Sequence, residues 1–175
     1  MQKKLRIAIV CDSIDNSNLY GSYISGKRFG ALLAKLGHEI IWITTKFDEE
    51  DKRKEFAYAK VYEFWGLKLW AYGVRFGYTS VTRLRKIFQK EKIDIMYSIH
   101  PSPLGRQAIR AAKRLHMPAV SHSHIRPELN VRGAPKFVGR LFKMYMASIY
   151  KKCNGLIYPT AFAKKIFDDC NFKMK

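Results

Sequence analysis

Three histidines lie where two apolar runs of this sequence end, and their position suits ligand chemistry. His100 follows residues 94–99, while His122 and His124 close the run that begins at residue 119, with Arg126 two positions further on. In an open parallel α/β sheet, ligands bind in the crevice beyond the carboxyl ends of the strands. Histidine titrates near neutral pH, so it can hydrogen-bond a substrate or act as a general acid or base there. We therefore predict a ligand site at this edge of a sheet.

Simpler roles for these histidines stay open. His122 and His124 are two residues apart, so both face the same side while they remain in a strand. A zinc ion would need a third ligand at suitable spacing, and the sequence offers none, so no metal is predicted. Either residue could instead be hydrogen-bonded at a strand end without any ligand, and this alternative has more weight for His122.

The loop after the first apolar run contains a second candidate, because it leads into a helix. Gly21 and Ser22 precede a predicted helix over residues 25–36, and amides at a helix N-terminus can hold a phosphate group. Gly21 and Gly26 are too far apart for a Gly-x-Gly-x-x-Gly fingerprint. The second run ends at Thr45 without an acidic residue, so nicotinamide binding is disfavoured and no covalently bound cofactor is predicted. Gly21 as an ordinary turn glycine is the alternative.

Short apolar runs alternate with segments of helical periodicity along the chain. This alternation predicts βαβ units and a Rossmann-like, doubly wound parallel sheet in a single α/β domain. The first helix carries Phe29, Leu32, Leu33 and Leu36 at the spacing of an apolar face. Residues 65–77, rich in glycine and aromatics, are predicted to form an irregular loop. The predicted strands are 5–11, 39–44, 60–64, 94–99, 119–122 and 155–158, and the predicted helices are 25–36, 79–91, 104–115, 135–152 and 160–169.

The composition indicates a globular protein with an anionic partner. The chain has 175 residues, 47% of them hydrophobic, and a formal net charge of +19. From Arg106 onward, fifteen Lys or Arg residues stand against three acidic ones, which favours nucleic acid, a phosphorylated ligand or an acidic membrane as partner. A solvated surface is the plainer alternative. Three scattered cysteines, without a signal peptide or membrane span, predict a cytoplasmic protein without a disulfide framework.

Residues 135–152 have the pattern of a basic amphipathic helix. Lys136, Arg140 and Lys143 lie on a basic stripe, which favours contact with a membrane surface. The alternative is a helix that packs on the core with a solvated face, and both descriptions hold if the basic edge flanks exposed Phe or Met. The apolar stripe consists of Phe137, Val138, Leu141, Phe142, Tyr145 and Ile149.

Taken together, these segments resemble the N-terminal domain of a GT-B glycosyltransferase of family four, a retaining group that includes lipid glucosyltransferases. The resemblance covers nearly the whole chain, and its most specific part is the Lys-x-Gly-His-Glu pattern that joins the first helix to the second strand. The matching pieces are Ile7-Ala-Ile-Val-Cys-Asp12 with Tyr20-Gly21-Ser22, Lys35-Leu-Gly-His-Glu-Ile40, Ser98-Ile-His-Pro-Ser-Pro-Leu-Gly105, Pro118-Ala-Val-Ser-His-Ser-His124 and Gly155-Leu-Ile-Tyr-Pro-Thr160.

The resemblance implies roles for individual residues. Gly21 with Ser22 approaches the donor diphosphate and the acceptor, although the family's usual Gly-Gly is Gly-Ser here. His124, at the end of the fifth strand, lines the reaction centre and is the expected catalytic residue. The domain itself chiefly holds the acceptor. The other expected ligand-binding residues are His100, His122 and Arg126.

In this family a second Rossmann-like domain holds the nucleotide-sugar donor, and none follows within the sequence, which ends at Lys175. Residues 1–175 are therefore expected to be the N-terminal domain alone, inactive without a C-terminal domain or complementary chain. The complete enzyme is expected to move a hexose to a lipid or glycan acceptor with retention, at the inner face of the cell membrane. The rival hypothesis is a non-catalytic basic module that binds nucleic acid or another anionic partner. The lack of a recognised nucleic-acid-binding motif in the sequence counts against it.

Overall fold

The fold is an α/β sandwich built on a six-stranded parallel sheet. A computed structural model of the chain describes residues 3–12, 21–47, 53–69, 74–99, 101–122 and 135–169. The strands are β1 (Arg6–Val10), β2 (Glu39–Thr45), β3 (Ala59–Phe64), β4 (Gly66–Leu69), β5 (Val74–Gly77), β6 (Ile95–Ser98), β7 (Ala119–His122) and β8 (Gly155–Ile157). The helices are α1 (Gly21–Lys35), α2 (Val81–Lys90), α3 (Pro103–Arg114), α4 (Lys136–Tyr150) and α5 (Ala161–Asp169).

The strand order of the main sheet is β3-β2-β1-β6-β7-β8, and every neighbouring pair is parallel. The order reverses beside β1, where Ile7 pairs with Ile40 of β2 on one side and with Ile95 of β6 on the other. This is the topological switch point of a doubly wound sheet, and the crevice beyond its carboxyl ends is the usual ligand position. The predicted fold class is confirmed.

Two apolar clusters cover the two faces of the sheet. Because β1 and β2 are buried on both faces, their sequences are continuous apolar runs rather than alternating ones. On one face Ile9 and Trp42 are fully buried beneath α1. On the other, Val10 packs with Leu104 of α3 and Ile149 of α4. The two layers of helices hold the strand ends, and thus the candidate site, in fixed positions.

The prediction of an irregular loop at 65–77 was wrong. β4 and β5 pair as an antiparallel hairpin in which Gly66 lies opposite Gly77. Both glycines allow the hairpin to lie close against the end of β2: a Cβ placed on Gly77 would be 2.4 Å from Thr45 Cγ2. The glycines and aromatics therefore mark a short second sheet packed across the carboxyl edge of the main one.

The first helix also differs from its prediction. α1 begins at Gly21 rather than at residue 25, and Leu32 and Leu36 are exposed instead of buried. Two glycines bring the helix backbone close to the sheet: a Cβ on Gly26 would lie 2.0 Å from Ile99 Cδ1, and one on Gly30 would lie 3.1 Å from Ile9 Cδ1. Close backbone packing through glycine thus decides which face of α1 is buried, and the leucine spacing does not.

Candidate functional site

The candidate site is the crevice at the carboxyl ends of β1 and β6. The N-termini of α1 and α3 follow these two strands, and neither helix has an acidic residue in its first turn. Ser102 caps α3, because its hydroxyl accepts a hydrogen bond from the Gly105 N–H at 3.1 Å, and Pro103 begins the helix. The unpaired amides of a helix start carry partial positive charge, so the edge is arranged to attract an anion.

Gly21 is the first residue of α1 and Ser22 the second. Gly21 is exposed, and a Cβ placed on it would meet no heavy atom within 4 Å. Neither a close contact nor a positive φ requires glycine at this position. Gly21 can therefore contribute to ligand binding through the backbone amides at the start of the helix. The side chain of Ser22 lies outside the described residues, and the phosphate role of this pair stays a prediction.

Asp12 follows β1 and is buried at the same edge, although its acidic side chain was not predicted as part of the site. Its Oδ1 accepts a hydrogen bond from the Gly77 N–H at 2.6 Å, which joins β1 to the hairpin. Its Oδ2 has no hydrogen-bond partner in the described part of the chain. Burial raises the pKa of Asp12 to about 6, an effect that hydrogen bonds from Ser102 and Gly77 only partly oppose. A carboxyl directly after a buried apolar run was the available signal.

His122 is the last residue of β7 and is half-buried. Its Nδ1 lies 2.6 Å from the hydroxyl of Tyr97 on the neighbouring strand β6. The ring of Phe29, from α1, lies 5.3 Å from that of Tyr97. Burial raises the pKa of Tyr97. Its hydroxyl and the Nδ1 of His122 share one hydrogen bond, in which either group can be the donor. Tyr97, which the sequence did not single out, thus fixes the histidine ring.

Three of the predicted site residues, His100, His124 and Arg126, lie outside the described residues. Their described neighbours, Ile99 and His122, stand at the carboxyl ends of β6 and β7. These strands are adjacent and parallel, with Ser98 opposite Ser121. The expected convergence of His100, His124 and Gly21 on one pocket therefore stays a prediction.

The hairpin adds an aromatic surface beside the crevice. Trp65 directly precedes β4 and Tyr78 directly follows β5, so the two residues lie side by side at the open end of the hairpin. The Tyr78 N–H donates to the Trp65 carbonyl at 3.4 Å, and the exposed fractions of Trp65 and Tyr78 are 72% and 61%. Next to them is a pocket of about 320 Å³, lined among others by Lys46, Glu63 and Arg75. Exposed aromatic rings beside charged groups suit a ligand with both apolar and polar parts. Sequence reasoning missed this surface because it treated the segment as loop.

The membrane-surface candidates Lys136, Arg140 and Lys143 are exposed on α4. Phe137, Leu141 and Met144 are more than half exposed in the same part of the helix. The other end of α4 packs inside, since Met146, Ile149 and Tyr150 are fully buried. The helix therefore has a core-packing end and an exposed end that is both apolar and basic.

No described helix is both long and apolar enough to cross a membrane. Within the described ranges, no group of three or more His, Cys, Asp or Glu side chains is arranged to hold a metal ion.

Comparison with known proteins gives one family match. Residues 27–174 match the sequence profile of the family described as Glycosyltransferase Family 4. No curated protein sequence matches the chain. The matched range includes β6, His122 and all of α3 and α4, and it begins after β1, Asp12 and Gly21.

Solved structures with a similar fold include a glycosyltransferase from Rickettsia africae, which has a TM-score of 0.65 and 18% identity over 99% of this chain. MurG from Acinetobacter baumannii has a TM-score of 0.57 and 10% identity over 89% of this chain. A putative UDP-N-acetylglucosamine 2-epimerase from Listeria monocytogenes has a TM-score of 0.59 and 12% identity over 95% of this chain. At these identities the likeness concerns the fold. The chain spans 41% or 42% of the length of each of these three structures.

Proposed function

We propose that this chain, which belongs to glycosyltransferase family 4, is the acceptor-binding half of a GT-B enzyme. In the complete enzyme it would help transfer a hexose from a nucleotide sugar to a lipid acceptor, with retention at the anomeric carbon. The family match over residues 27–174 carries the proposal. The switch-point crevice supports it, because such crevices hold ligands in doubly wound folds.

A lipid acceptor is supported by the surfaces around the crevice. The Trp65–Tyr78 pair on the hairpin and the Phe137–Leu141 end of α4 are exposed aromatic and apolar surfaces. Basic side chains accompany the second surface, and a Lys or Arg near an anionic leaflet contributes about 1 kcal/mol to membrane binding. The chain would then bind at the inner face of the cell membrane and take its acceptor from there.

The proposed chemistry depends on charge stabilisation in a closed cleft. In hexose transfer with retention, the sugar gains positive character and the leaving diphosphate gains negative charge. Amides at the start of α1, with Gly21 and Ser22, would approach the diphosphate, since fixed dipoles stabilise such charge without reorganising. His124 would hydrogen-bond the sugar or orient the acceptor hydroxyl. His100, His122 and Arg126 would bind the acceptor or donor around it.

The nucleotide-sugar donor is expected to bind mainly to a C-terminal domain or complementary chain. The solved structures of similar fold are more than twice as long as this chain, which leaves room in them for such a second half. On this proposal the isolated chain binds acceptor but does not turn over.

The direct test of the site is His124→Ala in a protein that joins this chain to a donor-binding half. Transfer of labelled hexose should fall by roughly two to four orders of magnitude, as losing one well-placed polar group commonly does. His116→Asn is the matched control, because His116 is an exposed histidine just beyond α3 with a φ of 53°, a conformation that asparagine tolerates. Near-normal transfer by His124→Ala, with wild-type folding, would remove His124 from the reaction centre.

The second candidate function is a basic module that binds nucleic acid. The net charge of +19 favours it. The glycosyltransferase family match counts against it, so specific nucleic-acid binding is not expected. Tight, salt-sensitive binding to duplex DNA, together with no binding to anionic vesicles, would favour this candidate.

A further inference from the structure

One face of α3 carries three cations in a row. Arg106, Arg110 and Lys113 are spaced i, i+4 and i+7, so they lie along the same side of the helix. This side meets α4, because the Arg106 guanidinium carbon lies 5.5 Å from the centre of the Tyr145 ring. Lys152 follows the C-terminal end of α4 and is the fourth member of the group, which we call the α3–α4 cation groove.

The four cations are close enough to repel one another. The pKa of Lys152 is lowered, first by burial and then by the charges of Arg110, Arg106 and Lys113. The Nε of Arg106 is buried and has no acceptor among the described residues. Positive charges held together without compensation cost free energy, and a bound anion removes that cost.

Asp12 lies in the neighbourhood of the groove, since its charge acts on Tyr145 together with the charges of Arg106 and Arg110. A single carboxyl, whose pKa burial raises to about 6, leaves four cations largely uncompensated. The other described carboxylates are engaged elsewhere. Segments 101–122 and 135–165 together contain eleven Lys or Arg residues and no Asp or Glu. Glu39 pairs with Lys4 and Arg6 beside β1. Other pairs among the described residues are Glu55–Lys27, Glu63–Arg53 and Glu91–Lys60, while Asp94 accepts the Arg6 N–H.

We propose that the α3–α4 cation groove binds a phosphate or diphosphate group, either free in solution or carried on a lipid headgroup. Two guanidinium groups can each donate two parallel hydrogen bonds to phosphate oxygens, and the two ammonium groups add charge. The groove is separate from the exposed row of Lys136, Arg140 and Lys143, which begins at the opposite end of α4. It requires no glycosyl transfer, so it can be tested without the proposed reaction.

The test compares Arg110→Gln/Lys152→Gln with a charge-matched control, Lys86→Gln/Lys164→Gln. The control cations are exposed on α2 and α5, and neither acts on Lys152. The free-phosphate arm titrates inorganic pyrophosphate by calorimetry. The lipid arm measures co-sedimentation with phosphatidylcholine vesicles that contain phosphatidic acid.

The groove variant should lose at least tenfold in pyrophosphate affinity, and the control less than threefold. If every protein binds pyrophosphate weakly and the groove variant alone loses vesicle binding, the phosphate group that the groove binds is carried on a lipid headgroup. In the wild-type chain, ¹³C-methylated Lys152 should show a raised pKa when pyrophosphate is added, a readout that does not depend on folding of the variants. Equal losses in groove variant and control, or an unchanged Lys152 pKa together with unchanged vesicle binding, would overturn the proposal.

Discussion

Replacing Asp12 with asparagine should reveal a buried carboxyl that costs stability at neutral pH. Burial raises the pKa of Asp12 from 3.8 to about 6. At about 1.36 kcal/mol per pKa unit, that shift corresponds to about 3 kcal/mol between the two protonation states. The folded pKa is above the unfolded one, so the folded state binds the proton more tightly. Ionised Asp12 therefore lowers the free energy of unfolding. This destabilisation is fully present above about pH 6 and disappears as the pH falls through 3.8.

The expected result concerns the difference between Asp12→Asn and the wild type. Asparagine can keep the hydrogen bond from the Gly77 N–H, but its amide N–H₂ replaces an Oδ2 that has no partner among the described residues, at a cost of about 1–3 kcal/mol. That cost is the same at every pH. The free energy of unfolding of the variant relative to wild type should therefore rise by about 2.4 kcal/mol between pH 4 and pH 7.5, because at pH 4 the carboxyl of the unfolded chain is still more than half ionised.

Urea denaturation of both proteins at several pH values measures this difference. Glu39→Gln is a control of opposite sign, because the Lys4 hydrogen bond and the Arg6 charge lower the pKa of Glu39, so its contribution is lost as the pH falls. A pH-independent difference between Asp12→Asn and wild type would refute the assignment of a raised pKa to Asp12.

Two further predictions concern the exposed end of α4 and the packing of α1. The wild-type chain should co-sediment more with anionic vesicles than with neutral ones, and this binding should fall as the salt concentration rises. Phe137→Ser/Leu141→Ser should reduce co-sedimentation with the anionic vesicles. Equal binding of the wild-type chain to both vesicle types would contradict a membrane role. Gly26→Ala should lower the free energy of unfolding by about 1–3 kcal/mol through overpacking against Ile99. Gly21→Ala should lower it far less in the same urea titration, and equal losses would contradict the described packing of α1.

The sequence predicted the sheet well because strands buried on both faces leave an unambiguous pattern. The β1 and β2 runs, for example, are apolar throughout and could be placed to within a residue or two. The hairpin at Gly66–Gly77 was missed, since its glycines serve a tertiary contact with Thr45 that no local pattern reveals. The buried face of α1 was likewise set by Gly26 and Gly30 against the sheet rather than by its leucines.

For the candidate site, the sequence identified the strand ends but not the partners that position their side chains. The pairing of His122 with Tyr97 joins residues 25 positions apart through strand adjacency. The contact between Asp12 and Gly77 joins residues 65 positions apart through the unpredicted hairpin. The charge excess after Arg106 was plain in the sequence, but its concentration in a groove depends on how α3 packs against α4.

The central claim is that the chain supplies the acceptor half of a retaining hexosyltransferase. The most direct measurement uses a protein that joins this chain to its donor-binding half. The protein is incubated with a labelled nucleotide sugar and membrane lipids, and the anomeric configuration of the labelled product is then determined. We expect hexose in the lipid fraction with the configuration of the donor, and no transfer by the isolated chain. Absence of lipid-linked hexose, an inverted configuration, or turnover by the isolated chain would contradict the account.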